Sequence, residues 1–253
     1  MVTYRRLAII TAVHEEFCGI LSLMQNPTCL EVANRKFYLG KFFGKQVILV
    51  TTGIGKVSAS ITTCLLQSHF LCDAILFIGT AAALSPAVEL GDIVIGERFI
   101  AHDFNLEPLF VRGHHPDSKS FYTPANDVMF ELAVTTSKAV QTDSRFLSSI
   151  NTIGLNTVRI HNGLIVSGDQ FLRHQDMVSQ IISYEPFSDS LVADMESSGV
   201  AQAASDLKLP FVVARIVSDS ATSSSAVDWQ HFCKQVASTF GALFAEHFVS
   251  LLD

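Results

Sequence analysis

Residues 190–220 constrain the fold more than any other stretch, because their pattern predicts a strand, a helix and a second strand in succession. The first strand is centred on residues 191–193, and the second covers residues 211–217. The second strand is apolar except for Arg215, which is typical of a parallel strand covered on both faces. This βαβ unit predicts an α/β fold with a central sheet.

Each strand of the unit is followed by an acidic residue, Glu196 after the first and Asp219 after the second. Ligands of open α/β sheets bind outside the carboxyl ends of the strands, so we expect both carboxylates in one crevice. Either residue alone has another interpretation, because acidic side chains often cap the helix that follows a strand. The presence of Arg215 in the same unit favours a functional site.

The beginning of the chain offers a third carboxylate. An apolar run over residues 7–12 predicts a strand, and Glu15 and Glu16 follow it in the first turn of a helix. Acidic residues are common there because free N–H groups and the helix dipole favour negative charge. That explanation accounts for one of the two glutamates. Glu16 is the one that we expect near Asp219.

Two loops of small residues follow further predicted strands. Residues 52–56, Thr-Gly-Ile-Gly-Lys, lack the spacing and the final Ser or Thr of a phosphate-binding P-loop, so we interpret them as a tight turn near a ligand. Residues 79–83, Gly-Thr-Ala-Ala-Ala, would let a ligand approach the backbone. Residues 102–122 are predicted to be an irregular surface segment. Its adjacent His114 and His115 point in different directions, which gives no support for a metal site.

The composition narrows the class of protein. Residues 1–253, of which 49% are hydrophobic, are sufficient for one large domain. The net charge of −7 and the scattered basic residues argue against a nucleic-acid partner. No apolar run is long enough to cross a membrane and no signal peptide is evident, so we expect a cytoplasmic protein. The five cysteines lack metal-binding spacing; we interpret them as buried thiols and expect neither a metal nor a cofactor.

Seven motifs together carry a resemblance to a known family. They are IITAVHEE, TGIGKV, IGTAAAL, LGDIV, GLIVSGDQF, ADMES and ARIVSDSA. Their order and approximate spacing resemble those of the 5′-methylthioadenosine/S-adenosylhomocysteine nucleosidases, members of the purine nucleoside phosphorylase superfamily. The resemblance covers nearly the whole chain and is weakest over residues 104–156. It implies a single three-layer α/β/α domain around a mixed, largely parallel twisted sheet.

The resemblance also implies an activity, hydrolysis of the N-glycosidic bond of an adenine nucleoside. Asp219 matches the general acid for purine N7, and Glu16 matches the residue that deprotonates the attacking water. Glu196 matches the carboxylate that accepts both ribose hydroxyls, a natural use of its two oxygens. The other matched positions are Ser218 beside Asp219, Met195 under the ribose, Phe171 and Leu172 at the adenine, Thr80 and Arg215 around the water and the ribose, and Val13 and Ile54 at the 5′ substituent. Met195 and Phe171 have the alternative of being ordinary core residues.

Departures from the family pattern concern the water, ribose and 5′ pockets. Residues 80–83 replace a serine and two glycines with Thr-Ala-Ala-Ala, His14 replaces a common acidic residue, and Val13 replaces a methionine. The 5′ group therefore stays open among methylthioadenosine, S-adenosylhomocysteine and the 6-amino-6-deoxyfutalosine of a menaquinone pathway. The family completes this pocket with a second subunit, so the resemblance implies a homodimer.

Two other functions are alternatives. Phosphorylases of the superfamily commonly carry an arginine at the position of Phe77, and a phosphate site without it would lose charge-assisted hydrogen bonds. Phe77 therefore favours water as the nucleophile. A nucleoside-binding domain without catalysis is the second alternative, and the presence of Glu16, Glu196 and Asp219 argues against it.

Overall fold

A computed structural model describes residues 4–118, 120–220 and 225–252, the side chains of 225–228 excepted. The strands are β1 (Arg6–Thr11), β2 (Gln25–Val32), β3 (Arg35–Phe42), β4 (Lys45–Thr51), β5 (Ala74–Ala83), β6 (Ile93–Ala101), β7 (Thr123–Pro124), β8 (Ile160–Ser167), β9 (Ser190–Asp194) and β10 (Phe211–Asp219). The α-helices are α1 (His14–Leu23), α2 (Lys56–Ser68), α3 (Asp127–Thr142), α4 (Ser144–Asn151), α5 (Gln175–Ile182), α6 (Ser197–Asp206), α7 (Ser225–Phe232) and α8 (Ser238–Ser250). A 3₁₀ turn covers Glu185–Phe187, and a π-helical turn covers Cys233–Ala237.

The strands form one mixed sheet, part of which closes on itself. Strands β4, β1, β5 and β10 pair in parallel, as do β6, β8 and β9. Antiparallel pairs join β10 to β6 and β5 to β9, so β5, β10, β6, β8 and β9 complete a ring. Strands β3 and β2 extend the other edge in antiparallel fashion. The ring places the ends of several strands around one opening.

Helices cover both faces of this sheet. Leu7 and Ile9 of β1 face an apolar cluster that includes α1, α3, α4 and α8, whereas Ala8 and Ile10 face a cluster with α2 and α6. This alternation follows from the two-residue period of a strand. The strand predicted over residues 211–217 is buried at every position, as a strand covered on both faces should be. The arrangement confirms the predicted α/β/α fold.

The predicted βαβ unit is present as β9–α6–β10, but its two strands are not parallel neighbours. Strand β9 pairs with β5 in antiparallel fashion, and β10 pairs with β5 in parallel. Strand β5 is also longer than predicted, because the small residues 79–83 continue the strand rather than forming a loop. Pairing with β10 and β9 on its two sides keeps this segment extended.

One strand was not predicted, and two other local predictions are corrected. Residues 25–32, to which the sequence assigned no element, form the edge strand β2, whose side chains are nearly all exposed and give no apolar alternation. The spacing of apolar residues such as Phe232, Val236 and Phe240 predicts one helix from about Trp229 to Leu252, but a π-helical turn at Cys233–Ala237 interrupts it. The apolar pattern of residues 158–160 and 163–167 predicts two short strands, but β8 joins most of these residues in one strand.

The cysteines form no disulfide bonds, and three of the five are exposed. All five cysteines are free, and Cys72 and Cys233 are buried as predicted. Cys18, Cys29 and Cys64 are exposed, which corrects their interpretation as buried thiols, since they lie on the outer sides of α1, β2 and α2. Within residues 4–118, 120–220 and 225–252, no helix is both long and apolar enough to cross a membrane.

Candidate active site

A cavity with room for about 170 Å³ of solvent opens beside the ring of strands. Its walls are the segments that follow β1, β4, β8 and β9, the ends of β5 and β10, and two side chains from helices. The lining residues are Ala12, Val13, Glu16, Ile54, Thr80, Ala81, Ala82, Gln170, Phe171, Leu172, Ala193, Asp194, Met195, Glu196, Ser218, Asp219 and Trp229. Of the predicted site residues, only Arg215 is not in the lining. It is fully buried behind it, in contact with Asp194.

The register of β5 explains why carboxylates from two distant segments meet here. Ala82 pairs with Asp219 of β10 on one side and with Ala193 of β9 on the other. Glu196 follows β9 by two residues, so both acids reach the same opening although their strands run in opposite directions. The predicted convergence is confirmed, but through β5 rather than through a parallel βαβ edge.

Glu16 is held by hydrogen bonds on both carboxylate oxygens and is only 2% exposed. Its Oε2 accepts the N–H groups of Ala12 and Val13 at 3.0 and 3.3 Å. Its Oε1 accepts the N–H of Thr80 at 2.9 Å and lies 3.0 Å from the Thr80 hydroxyl. Burial raises the pKa of Glu16, against the charge of Arg215 and the hydrogen bonds from Thr80 and Ala12. Glu16 therefore caps α1 and also faces the cavity.

Arg215 is the buried cation of the site, and most of its guanidinium is already engaged. Its Nε and Nη2 donate to Asp194 Oδ2 at 2.9 and 2.7 Å, and its Nη2 lies 3.9 Å from a carboxylate oxygen of Glu196. The Phe77 ring covers one face of the guanidinium, 3.9 Å from ring centroid to Cζ. Nη1, beside Gly79, has no hydrogen-bond partner among the described residues.

Glu196 is a buried carboxylate with a raised proton affinity. Its Oε1 accepts the Gly55 N–H at 3.0 Å, so the loop before α2 is tied directly to this residue. Burial and the negative charge of Asp194 raise the pKa of Glu196 to about 7, against the effects of Arg215 and the Gly55 hydrogen bond. The Glu196 side chain therefore changes charge near neutral pH.

Asp219 and Ser218 stand at the end of β10. Asp219 is 6% exposed, and the Ser218 hydroxyl donates to its Oδ2 at 3.0 Å. The same hydroxyl lies 3.4 Å from the Ala81 carbonyl oxygen. The end of β10 and the hydrogen bond from Ser218 therefore hold the Asp219 carboxyl group so that it faces the cavity.

Apolar side chains form the opposite wall. Phe171 is 37% exposed in the cavity, and its ring meets the ring of Trp229 edge to face at a centroid distance of 6.5 Å. This exposure excludes an ordinary core position for Phe171. Met195 also lines the cavity, and Ile54 is 59% exposed at its mouth beside Val13. All these residues lie where the sequence predicted a pocket.

The sequence interpretation missed Asp194 and Trp229. Asp194 is the counter-ion of Arg215 and also accepts hydrogen bonds from Ser167 and Ser197. An available signal was Arg215 itself, because a buried arginine in a strand requires a carboxylate partner. Trp229 gave no such signal, because an apolar residue on a predicted amphipathic helix resembles a core residue.

The Gly-Ile-Gly-Lys turn does not present a free cation. Lys56 Nζ forms ion pairs with Asp103 at 2.6 Å and Asp169 at 3.1 Å, and Asp169 also accepts the Lys56 N–H. This Lys56 ion-pair cluster excludes the phosphate-cradle interpretation. His115 stacks on Phe104, and His114 stacks on two other aromatic rings. Among the residues that the structure describes, no group of three or more His, Cys, Asp and Glu side chains could hold a metal ion.

Comparisons with known proteins agree with this geometry. A family model described as the phosphorylase superfamily matches residues 6–250. The 5′-methylthioadenosine/S-adenosylhomocysteine nucleosidase of Mycobacterium bovis is 30% identical over 239 residues, which cover 92% of each protein. The solved structure of the Neisseria meningitidis 5′-methylthioadenosine/S-adenosylhomocysteine nucleosidase in complex with methylthio-immucillin-A has a TM-score of 0.85 at 26% identity, covering 97% of this chain and 98% of that one. A futalosine hydrolase mutant of Helicobacter pylori, 22% identical, shares the fold with a TM-score of 0.83 over 97% of this chain and 99% of that one. These matches confirm the resemblance carried by the sequence motifs.

Proposed function

This chain belongs to the phosphorylase superfamily and, within it, to the 5′-methylthioadenosine/S-adenosylhomocysteine nucleosidases, and we propose that it hydrolyses 5′-substituted adenine nucleosides. The products are adenine and the free 5′-substituted ribose. One observation carries the proposal: Glu16, Glu196 and Asp219 are all nearly buried and line a single cavity. Residues 1–253 act as one domain in this proposal.

The chemistry assigns one task to each carboxylate. Asp219 donates a proton to N7 as the C1′–N9 bond breaks, so that adenine leaves as a neutral base. The oxygen of a water molecule attacks the electron-poor C1′, and Glu16 accepts the proton that the water loses. Glu196 accepts hydrogen bonds from the ribose hydroxyls. The raised pKa of Glu16 makes its ionised form a stronger base than an ordinary glutamate, which suits a general base.

Water is favoured over phosphate because the cavity offers no cation for a phosphate. None of the described residues that line it is lysine or arginine. Arg215, behind the lining, is paired with Asp194 and covered by Phe77, and Lys56 is paired with Asp103 and Asp169. Phosphate recognition depends on charge-assisted hydrogen bonds, which these cations already make to carboxylates. Nη1 of Arg215 has no hydrogen-bond partner among the described residues, but it is buried beside Gly79 and does not reach the cavity.

The other residues of the cavity contact different parts of the substrate. The exposed ring of Phe171 stacks on adenine, and the Leu172 backbone meets the adenine edge. Met195 packs under the ribose, and Val13 and Ile54 contact the 5′ group. The relatives named above suggest methylthioadenosine, S-adenosylhomocysteine or a futalosine derivative as the substrate.

We propose a homodimer whose interface includes the outer face of α2. Val57 and Ile61, one helical turn apart, are 70% and 43% exposed, and Ile54 at the cavity mouth is 59% exposed. Adjacent exposed apolar side chains of this kind mark interaction surfaces. A second subunit placed there would cover the mouth near the 5′ group. The five free thiols fit a reducing, cytoplasmic environment.

The decisive assay measures adenine release from methylthioadenosine, S-adenosylhomocysteine and aminodeoxyfutalosine, each with and without phosphate. Release of free sugar without phosphate supports the nucleosidase, and the ranking of the three substrates identifies the 5′ group. Phosphate-dependent formation of ribose 1-phosphate would contradict the choice of water. Binding without adenine release would indicate a nucleoside-binding domain. The Asp219→Asn variant, which retains shape but not the proton, should bind substrate and lose roughly a hundredfold or more in kcat.

A further inference from the structure

The side chain of Trp229 has one polar atom, the indole nitrogen Nε1, and this atom contacts Thr80 in the candidate site. Trp229 is the only tryptophan of the chain, it lies on α7, and its Nε1 donates a hydrogen bond to Thr80 Oγ1 at 3.0 Å. The same Thr80 oxygen lies 3.0 Å from Glu16 Oε1. An indole N–H, a hydroxyl and a carboxylate therefore form a continuous line, the Trp229–Thr80–Glu16 chain. It links the wall of the cavity to the residue that accepts the proton from water.

The direction of these hydrogen bonds follows from what each group can do. An indole nitrogen donates and does not accept, so the Thr80 oxygen must be the acceptor from Trp229. The single proton of the hydroxyl is then available to Glu16, whose ionised carboxylate is an acceptor only. Both oxygens of Glu16 face donors, because Ala12 and Val13 supply N–H groups to Oε2 and Thr80 supplies an N–H to Oε1. The chain is thus complete when Glu16 is ionised.

We propose that Trp229 is a positioning residue that holds the Thr80 hydroxyl as a donor to Glu16 and so favours the ionised, basic form of Glu16. The proposal rests on the function proposed above, in which Glu16 accepts a proton from the attacking water. A phenylalanine at position 229 would fill similar space but would remove the donor that directs the Thr80 hydroxyl proton toward Glu16, and the proton could then turn to the sulfur of Cys233. Trp229 also packs against Phe171, so one side chain serves both the polar and the apolar wall.

Other charged and titratable groups also affect the pKa of Glu16, and the test must distinguish their effects from that of Trp229. Arg215 lowers the pKa of Glu16, whereas Glu196 and Glu16 repel one another. Cys233 lies beside Thr80, and burial raises the pKa of its thiol, so the thiol stays neutral. Asp219 lines the same cavity. None of these groups changes in a Trp229→Phe variant, which removes the indole N–H and preserves an aromatic ring.

The first test is the pH dependence of kcat for adenine release, measured at saturating substrate so that the effect of Glu196 on binding does not contribute. Loss of the indole donor raises the pKa of Glu16, so Glu16 is already protonated at a higher pH than in the wild type. The acidic limb of the profile therefore moves to higher pH. We expect a shift of roughly 0.5–1 pH unit in Trp229→Phe, as one hydrogen bond corresponds to that range. Thr80→Val should produce a similar shift, and Thr80→Ser, which keeps the hydroxyl, should restore the wild-type limb. Adding Trp229→Phe to Thr80→Val should produce no further shift, because the two changes break one chain.

An unchanged acidic limb in Trp229→Phe, or additive shifts in the double variant, would overturn the proposal. Failure of the wild-type enzyme to release adenine would instead contradict the proposed function, and a second readout then still tests the hydrogen-bond chain. Because Trp229 is the only tryptophan, its fluorescence reports on this position alone. A pH titration of the fluorescence should show a step that disappears in Glu16→Gln and persists in His231→Gln, the control for an exposed neighbour on α7. A step that persists in Glu16→Gln would show that the indole does not sense Glu16.

Discussion

Gly79 occupies a position in β5 at which side chains of Arg215 and Glu16, two residues of the candidate site, fill the space beside the backbone. A Cβ atom there would overlap Arg215 Nη1 and would lie 3.2 Å from Glu16 Oε1. Arg215 cannot withdraw easily, since it is fully buried between Asp194 and the Phe77 ring. The absence of a side chain at residue 79 is therefore a condition for the arrangement of the site.

We expect Gly79→Ala to displace Arg215 from Asp194 and to destabilise the fold by about 3 kcal/mol, as breaking a buried ion pair does. Adenine release should fall with stability, because Glu16 lies on the other side of the same gap. Urea unfolding and steady-state kinetics would measure both effects. Gly154→Ala is the control, because its Cβ would meet no atom within 4 Å, although its φ of +82° carries its own modest strain. Equal stability of Gly79→Ala and wild type would contradict the prediction.

The charge state of Glu196 predicts how binding depends on pH. Its folded-state pKa of about 7 lies above the ordinary value of a glutamate, so the carboxylate gains a proton as the pH falls through 7. In the proposed function, protonation of Glu196 removes an acceptor of the ribose hydroxyls. We therefore expect the Kd of a 2′,3′-dihydroxy adenine nucleoside analogue to increase by up to about tenfold per pH unit below 7.

Isothermal titration calorimetry between pH 5.5 and 8.5, with Glu196→Gln as the matched variant, would measure this dependence. The variant should bind more weakly at pH 8 and show a much flatter pH profile, since its side chain does not titrate. A variant with the wild-type profile would assign the titration to another group.

At the scale of elements, the site depends on how β5 is flanked. The sequence correctly predicted β10 and its buried Arg215, because a continuous apolar run is a strong signal. It did not predict the extension of β5 through residues 79–83, because Gly and Ala have low intrinsic strand preference. The partners β9 and β10, distant in sequence, keep that segment extended. Asp194 was missed for a related reason, since its partner Arg215 lies on another strand.

The Lys56 ion-pair cluster fixes the start of α2 to two other segments. Lys56 Nζ bridges Asp103 and Asp169, and Asp103 also accepts the Asp169 N–H at 2.8 Å. Although burial opposes it, the hydrogen bonds from Lys56 and Asp169 lower the pKa of Asp103. The residue before Lys56, Gly55, donates its N–H to Glu196. The cluster thus connects a partly exposed ion pair to Glu196, the residue proposed to bind the ribose.

We expect Lys56→Gln to leave two facing carboxylates without their cation and to lower the free energy of unfolding by roughly 1–3 kcal/mol. The KM should increase, because the Gly55 loop loses its anchor, while kcat changes less. Arg159→Gln is the matched control, since its ion pair with Glu89 is exposed and should contribute less than about 1 kcal/mol. Equal effects of the two substitutions would show that the cluster does not position the loop.

At the scale of the whole molecule, the family, the α/β/α architecture and the convergence of three acids could be predicted from residues that are local in sequence. The closed ring of β5, β10, β6, β8 and β9 could not, because it depends on antiparallel pairs between strands far apart in the chain. Trp229 could not be placed for the same reason. Its partner Thr80 lies 149 residues away and meets it only after the ring and the last helices have packed.

The apolar outer face of α2 provides the last prediction, the assembly state. Val57 lies in the first turn of α2, where an acidic side chain is compatible with the helix and even favoured by its dipole. Val57→Asp should therefore leave the fold intact and place a charge in the proposed interface, where an unpaired buried charge is costly. We expect wild type to have twice the mass of one chain by light scattering, and Val57→Asp to be a monomer. Val128→Asp is the matched control, since Val128 is 44% exposed in the first turn of α3 in the opposite helical layer, and it should remain a dimer. A dimeric Val57→Asp variant would place the interface elsewhere, whereas loss of affinity for the 5′ group in the monomer would show that the second subunit completes the cavity.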